Sequence, residues 1–477
     1  MSLAADASAH VDRSWDDIVP VLHDYIAIPA VSAAYDPNWR EHGHIHRAVD
    51  LVVDWCRGRS IAGMNVEVID RPDLSPLVVI EIPAFGAGAG TDTDDTVLLY
   101  GHLDKQPEME GWRDDLGPWK PVLDGDRLYG RGGADDGYAV FASLTAIEAV
   151  QVAGGSHARC VVLIEASEES GSPDLPAHVD ALRDRLGTPS LVVCLDSGCI
   201  DPHRMWVTTS LRGVVVATLT VDIVSEGLHS GDVSGMVPDS FRIARALLDR
   251  IENVASGEVL LDACDVDIPD ERLDQAHTTA DEIGPIAAHY PFVAGAGPTT
   301  PHGAGQLISR TWRAALSVVG ADGLPPTSRA GNVLRPSTSL KLSLRTPPTA
   351  DAAAALAELE RKLTANPPYG ARVSISHADS ASGWNAPATA PWLADALDRA
   401  SNEAFGEPAR HFGEGGSIPF MGMLGEAFPD AQFVITGVLL PDANAHGPNE
   451  YLHVPTARRL TTAVAHLLDA HAHRPNA

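Results

Sequence analysis

Five short runs, "PLVVIEIP", "TVLLYG", "CVVLIEAS", "SLVVCLDS" and "QFVITGVL", put apolar residues on consecutive positions and stop at Gly, Pro, Ser or Asp. Runs of this length with no polar alternation fit strands covered on both faces, and such strands belong to sheets flanked by helices. The stretch "DDGYAVFASLTAIEAVQVAG" between two of them has the length of a crossover helix, and amphipathic segments open the chain at 11–29 and around "HRAVDLVVDWCRG". These features predict an α/β domain with a mostly parallel central sheet.

The middle of the chain follows another rule. "VVVATLTVDIV" (214–224) and "STSLKLSLR" (337–345) alternate apolar with polar residues, which marks a sheet with one wet face. Helical patterns, "SFRIARALLDRIENV" and "DAAAALAELERKL", accompany them. A length of 477 residues exceeds what one core usually serves. The expected organisation is an α/β domain in two parts, 1–210 and 384–477, interrupted by a smaller α+β domain at 211–383. Residues 255–330, rich in Gly, Pro, Asp and His, show no readable pattern.

A formal charge of −30 without a basic run argues against nucleic acid or an anionic membrane as partner. No stretch approaches eighteen uninterrupted apolar residues, and the first residues lack the basic start and apolar core of a signal peptide. The five cysteines are odd in number and lack paired short spacings, as expected of buried thiols in a reducing compartment. A cytoplasmic location is the expectation.

In open parallel sheets ligands bind beyond the carboxyl ends of the strands. His102 and Asp104 follow "TVLLYG", Glu168 and Glu169 follow "CVVLIEAS", Asp196 ends "LVVCL", and His446 follows the last run. Asp135 and Asp136 lie in "YGRGGADDGYA", a glycine-rich loop entering a helix. Two divalent ions about 3.5–4 Å apart require a bridging carboxylate, terminal ligands on each ion and a shared water. The residues suffice for that arrangement: Asp135 as bridge, His102 and Asp196 on one ion, Glu169 and His446 on the other. Glu168 is then available as base, and Asp104 as acceptor for the second ring nitrogen of His102. Each residue alone has a plainer explanation: a strand-end histidine is commonly just hydrogen-bonded, Asp135 could cap a helix, and "SEES" could be an acidic loop. Their joint occurrence at strand ends favours the metal site.

The pieces "YGHLDKQP", "LYGRGGADDG", "EASEESGS", "CLDSG", "GLHSG", "SLRTPP" and "GEGGSIP", in this order, resemble the M20 family of metallopeptidases, and within it the cytosolic, carnosine-dipeptidase-like branch. The resemblance implies two metal ions per subunit, usually zinc or manganese, held by His102, Asp135, Glu169, Asp196 and His446, with Asp135 bridging and Glu168 as general base. It also implies a cis peptide bond after Asp135 and a lid domain through which subunits form homodimers. His229 of "GLHSG" would reach a partner's active site to stabilise the oxyanion, and Arg345 and Ser417 would hold the substrate's carboxylate end. A guanidinium suits a carboxylate because it forms two parallel hydrogen bonds. The sequence departs from the resemblance at Lys105, where many relatives are apolar, at Gly413, often arginine, and at the substrate-binding position Asn332, commonly threonine. These changes are expected around the substrate. The implied activity is hydrolysis of dipeptides. An N-acyl amino acid deacylase using the same ligands and a catalytically idle binding protein are the alternatives.

Overall fold

The computed structural model describes residues 3–86, 95–300, 303–416 and 418–475. The chain forms two compact units: residues 1–208 with 386–411 and 423–477, and residues 209–385 with 412–422.

The first unit is built on a mixed sheet of β1 (Asn65–Ile69), β2 (Leu77–Ile82), β3 (Asp95–His102), β4 (Arg159–Glu165), β5 (Thr188–Cys194), β6 (Trp206–Leu211) and β7 (Gln432–Ile435), in the order β1-β2-β4-β3-β5-β7-β6. The four central strands, β4, β3, β5 and β7, run parallel; β1, β2 and β6 pair antiparallel at the two sides. The four apolar runs after "PLVVIEIP" are these central strands, and β3 is buried from Thr96 to His102. Because they are parallel, their carboxyl ends lie on one edge.

Helices cover the sheet: α1 (Leu3–Ile26), α2 (His44–Arg57), α3 (Tyr138–Val152), α4 (Pro391–Phe405) and α5 (Val454–Ala472). α3 has no wet face over Tyr138–Val150, which matches a sequence apolar all round, and it lies deep in the core. The Trp15 indole of α1 donates to the Thr461 hydroxyl of α5 at 3.0 Å, so its N–H is satisfied in the interior.

One buried cation ties α1 to the segment after β3. Lys105 is fully buried, and its ammonium donates to the carbonyls of Tyr25 (2.8 Å) and Ile28 (2.9 Å), above the Tyr25 ring. It caps the end of α1, where carbonyls lack helical partners. Its methylenes fill the space beside Gly132, where a Cβ would lie 2.7 Å from them and where φ is +81°. The expectation that Lys105 faces substrate is therefore corrected: the residue is interior, and burial holds its pKa well below the lysine norm.

In the second unit an antiparallel sheet has the order Ala315–Asp322, Ser337–Thr346, Gly213–Asp222, Arg372–Ala381. Gly213–Asp222 alternates strictly between buried and half-buried, and helices Ser240–Leu248 and Ala352–Thr364 join its buried side in one core. Both helices begin on an aspartate cap: Asp239 accepts from the Arg242 N–H at 2.8 Å and Asp351 from the Ala354 N–H at 3.0 Å. The edge strand Ala315–Asp322 and helices Asp270–Ile283 and Ala304–Thr311 come from the stretch that shows no pattern in sequence.

Replacing Lys105 by alanine removes the cap, opens a cavity beside Gly132 and leaves buried carbonyls unpaired. Equilibrium denaturation should show a loss of about 3 kcal/mol.

Candidate metal centre

The carboxyl edge of the parallel strands gathers seven of the residues singled out in sequence. His102 is the last residue of β3, and Asp196 lies two residues beyond β5. Glu168 and Glu169 form a single helical turn after β4, and Asp135 sits in the turn Gly133–Gly137 that leads into α3, with the Asp135–Asp136 peptide bond cis. His446 comes from the irregular segment after β7.

Asp135 stands at the centre. Its Oδ1 lies 3.3 Å from His102 Nε2 and its Oδ2 lies 3.0 Å from His446 Nε2, so each carboxylate oxygen faces a different imidazole. His446 Nε2 is also 3.2 Å from Glu169 Oε2. His102 Nε2 is 3.8 Å from Asp196 Oδ2 and 3.9 Å from Glu168 Oε2. Two sets of donor atoms, His102–Glu168–Asp196 and His102–Asp135–Glu169, each fall within 4.8 Å of one another. The Nδ1 of His102 is 3.0 Å from the Asp104 carbonyl oxygen and 3.5 Å from the carboxylate, so the backbone takes the second ring nitrogen. The Asp104 carboxylate instead accepts the N–H groups of Glu168 and Glu169, both at 3.0 Å, and fixes the turn that presents them.

Charge in this pocket is unbalanced. Burial, and then the charge of Asp196, raises Glu168 well above the usual carboxylate range; burial, and then Asp135, raises Glu169. Asp196 is pushed up to about 7, by burial first and by Asp135 and Glu169 against the opposing pull of His102. Asp135 moves the other way, because its bonds to His102 and His446 outweigh the cost of its burial. Burial would lower both imidazoles, yet the surrounding carboxylates raise His102 well above its norm and bring His446 up to about 11. Asp136, the next residue, is fully buried, and burial, then the charge of Asp196, raises it well above the usual carboxylate range. Buried carboxylates with imidazoles turned inward among them are a donor set that divalent cations satisfy. The residues fit a metal pair.

The sequence profile of Peptidase family M20/M25/M40 matches residues 98–470. The chain belongs to this family. It is a metallopeptidase. Among its relatives, a cysteinylglycine-S-conjugate dipeptidase of Corynebacterium striatum is 29% identical over 384 residues, 78% of this chain and 80% of the relative. A Cys-Gly metallodipeptidase of Schizosaccharomyces pombe is 26% identical over 427 residues, 86% of each chain. The crystal structure of human carnosine dipeptidase 1 superposes with a TM-score of 0.77 at 21% identity, covering 99% of this chain and 100% of that one, a likeness of fold.

The remaining site candidates of this M20 peptidase fall in the second unit or outside the described residues. His229 is exposed, with Nδ1 3.7 Å from Asp232, and its strand pairs with Val333, next to Asn332, whose carbonyl accepts the Ser230 N–H at 3.0 Å. Asn332 is exposed and Arg345 half-buried on the strand Ser337–Thr346. Ser417 lies outside the described residues. At Gly413 a Cβ would lie 2.6 Å from the Ser210 hydroxyl and 2.8 Å from Thr311, so this backbone has no room for a long side chain.

Sequence reasoning missed Gln106, Glu165, Arg131 and Glu450. Gln106 donates to Glu169 from its backbone N–H (3.2 Å) and its side-chain amide (2.6 Å). Glu165, interior at the end of β4, accepts from Tyr100 (2.6 Å), Ser172 (2.8 Å) and Ser167 (3.1 Å) beneath the Glu168–Glu169 turn. The signal was the motif "EASEESGS", whose first glutamate follows a continuous apolar run and so had to be buried.

With His446 raised to about 11 and Asp196 to about 7, a cation taken up here would compete with a proton on His446 through the neutral range and with a second on Asp196 below about 7. Calorimetry of the metal-free protein should record proton release on binding, with affinity weakening as pH falls and more steeply below about 7, where Asp196 also becomes protonated. An affinity independent of pH on both sides of that value would contradict this charge arrangement.

Proposed function

We propose that this M20 enzyme is a dipeptidase that uses two divalent ions, zinc first and manganese second, to hydrolyse the amide bond of dipeptides or short peptides. The observation that carries the reading is the central carboxylate of Asp135, with its two oxygens turned to two different histidines. Such a group can join two ions, with His102 and Asp196 completing one and Glu169 and His446 the other. Bound there, the ions would polarise the scissile carbonyl and acidify a water.

The chain's own residues do the rest. Glu168 stands at the rim, its side chain 14% exposed, while the neighbouring Glu169 is buried. Its raised pKa suits a base that takes a proton from the attacking water and returns it to the leaving amine. Asp104 keeps Glu168 and Glu169 presented by holding their backbone N–H groups. By resemblance, Arg345 and Ser417 hold the substrate's carboxylate end, Asn332 lies at a substrate-binding position, and His229, contributed by a second copy of the chain in a homodimer, stabilises the oxyanion. The dipeptidase names of the relatives support the substrate class. A cytoplasmic location accords with five free, buried cysteines; among the described residues no helix is long and apolar enough to cross a membrane.

The test is metal analysis of wild type beside His102→Ala, with dipeptides and N-acetyl amino acids assayed in added zinc or manganese. About two ions per chain and dipeptide turnover, lost together in the variant, are expected. Turnover of the N-acetyl series alone would make the enzyme a deacylase, and metal without hydrolysis would make it an idle relative. Glu168→Gln should keep both ions while kcat falls by about 10²–10⁴-fold; full activity in that variant removes Glu168 from the reaction.

A further inference from the structure

His446 is held unlike the other proposed ligands. It comes from residues 436–450, which contain no strand or helix, and its side chain is 55% exposed. Three residues there adopt left-handed backbone, Asn444 (φ 56°), His446 (φ 63°) and Asn449 (φ 62°), a conformation uncommon outside glycine although asparagine and histidine tolerate it better than most.

Arg131, four residues before Asp135, reaches into this segment. Its guanidinium is buried. One arm, Nη2, donates to the carbonyl of Gly447, the residue after His446, at 3.0 Å. The other, Nη1, pairs with Glu450 Oε2. Glu450 is fully buried, its Oε1 accepts the Gly132 N–H at 2.8 Å, and its carbonyl accepts the Gly130 N–H at 2.9 Å. One guanidinium–carboxylate pair therefore fastens the loop that carries His446 to the turn that carries Asp135. A planar fork can span two acceptors in this way, whereas an ammonium offers a single point of charge.

We propose that Arg131, braced by Glu450, is a positioning residue that holds His446 against Asp135 and so sets the affinity of one metal position, the one His446 shares with Glu169. This rests on the two-ion reading above. Groups that orient metal ligands typically change affinity by 10–100-fold when removed.

The test is zinc titration of Arg131→Lys and of wild type, read by calorimetry and by metal content after dialysis against a competing chelator. Expected are two ions in wild type and, in Arg131→Lys, one ion bound as before and one weakened by about tenfold or more, with kcat returning when zinc is raised. A purely structural role would lower the melting temperature of the metal-free protein and leave both affinities unchanged. Two ions at wild-type affinity in the variant overturn the proposal and leave the two-ion reading intact; fewer than two in wild type sinks that reading itself. Should Arg131→Lys not fold, Glu450→Gln, which keeps the guanidinium but weakens its brace, is expected to shift the same ion in the same direction. Unchanged affinities there would be equally decisive against it.

Discussion

Like charges crowded out of water repel, and the metal centre is organised around that cost. Asp135, Asp136, Glu169 and Asp196 are buried on one edge of one sheet, and Glu168 stands just at their rim. Without a counterweight such a group would protonate or spread apart. The counterweights are specific: imidazoles on both oxygens of Asp135, the amides of Gln106 on Glu169, and backbone N–H groups held by Asp104 that keep the glutamate turn from unwinding. What they leave uncompensated is net negative, a balance that a bound cation would complete.

The parallel strands explain why these residues meet. β4, β3, β5 and β7 end on the same side, so four separate stretches of chain deliver their next residues to one edge. The glycine-rich turn before α3 and the loop after β7 close over them. Support comes from below as well as alongside: Lys105 links the end of α1 to the segment after β3, and its stem packs on Gly132. The lysine thus serves the scaffold, its charge absorbed by the carbonyls at a helix end.

Much of this is legible in the sequence, and the limits are physical. Continuous apolar runs ending in His, Asp or Glu read directly as buried strands with a polar edge. The all-apolar α3 and the alternating Gly213–Asp222 were equally plain, because each repeats its pattern over several turns or residues. The edge strand Ala315–Asp322 was not: it is mostly exposed, so it has no buried face to impose a period, and a register shift falls between Val318 and Gly320. Lys105 was misread since a charged residue beside ligands looks like a substrate contact, and only the carbonyls of Tyr25 and Ile28, some eighty positions away, reveal otherwise. Arg131 and Glu450 escaped for the same reason: their partnership spans more than three hundred residues and has no local signature.

The first unit is discontinuous in the chain, and this governs the order in which it can be made. His102, Asp135, Glu169 and Asp196 leave the ribosome early, but β7, His446 and Glu450 follow only after the whole sheet of the second unit, whose last strand ends at Ala381. Until then β5 lacks its neighbour on one side, α1 has no α5 to receive Trp15, and the acidic edge stands half-built. Domains tend to fold as they emerge. Here the sheet of the second unit can form while the first unit waits, and a nascent chain broken off before residue 446 holds the acidic edge without the imidazole that faces Asp135 Oδ2.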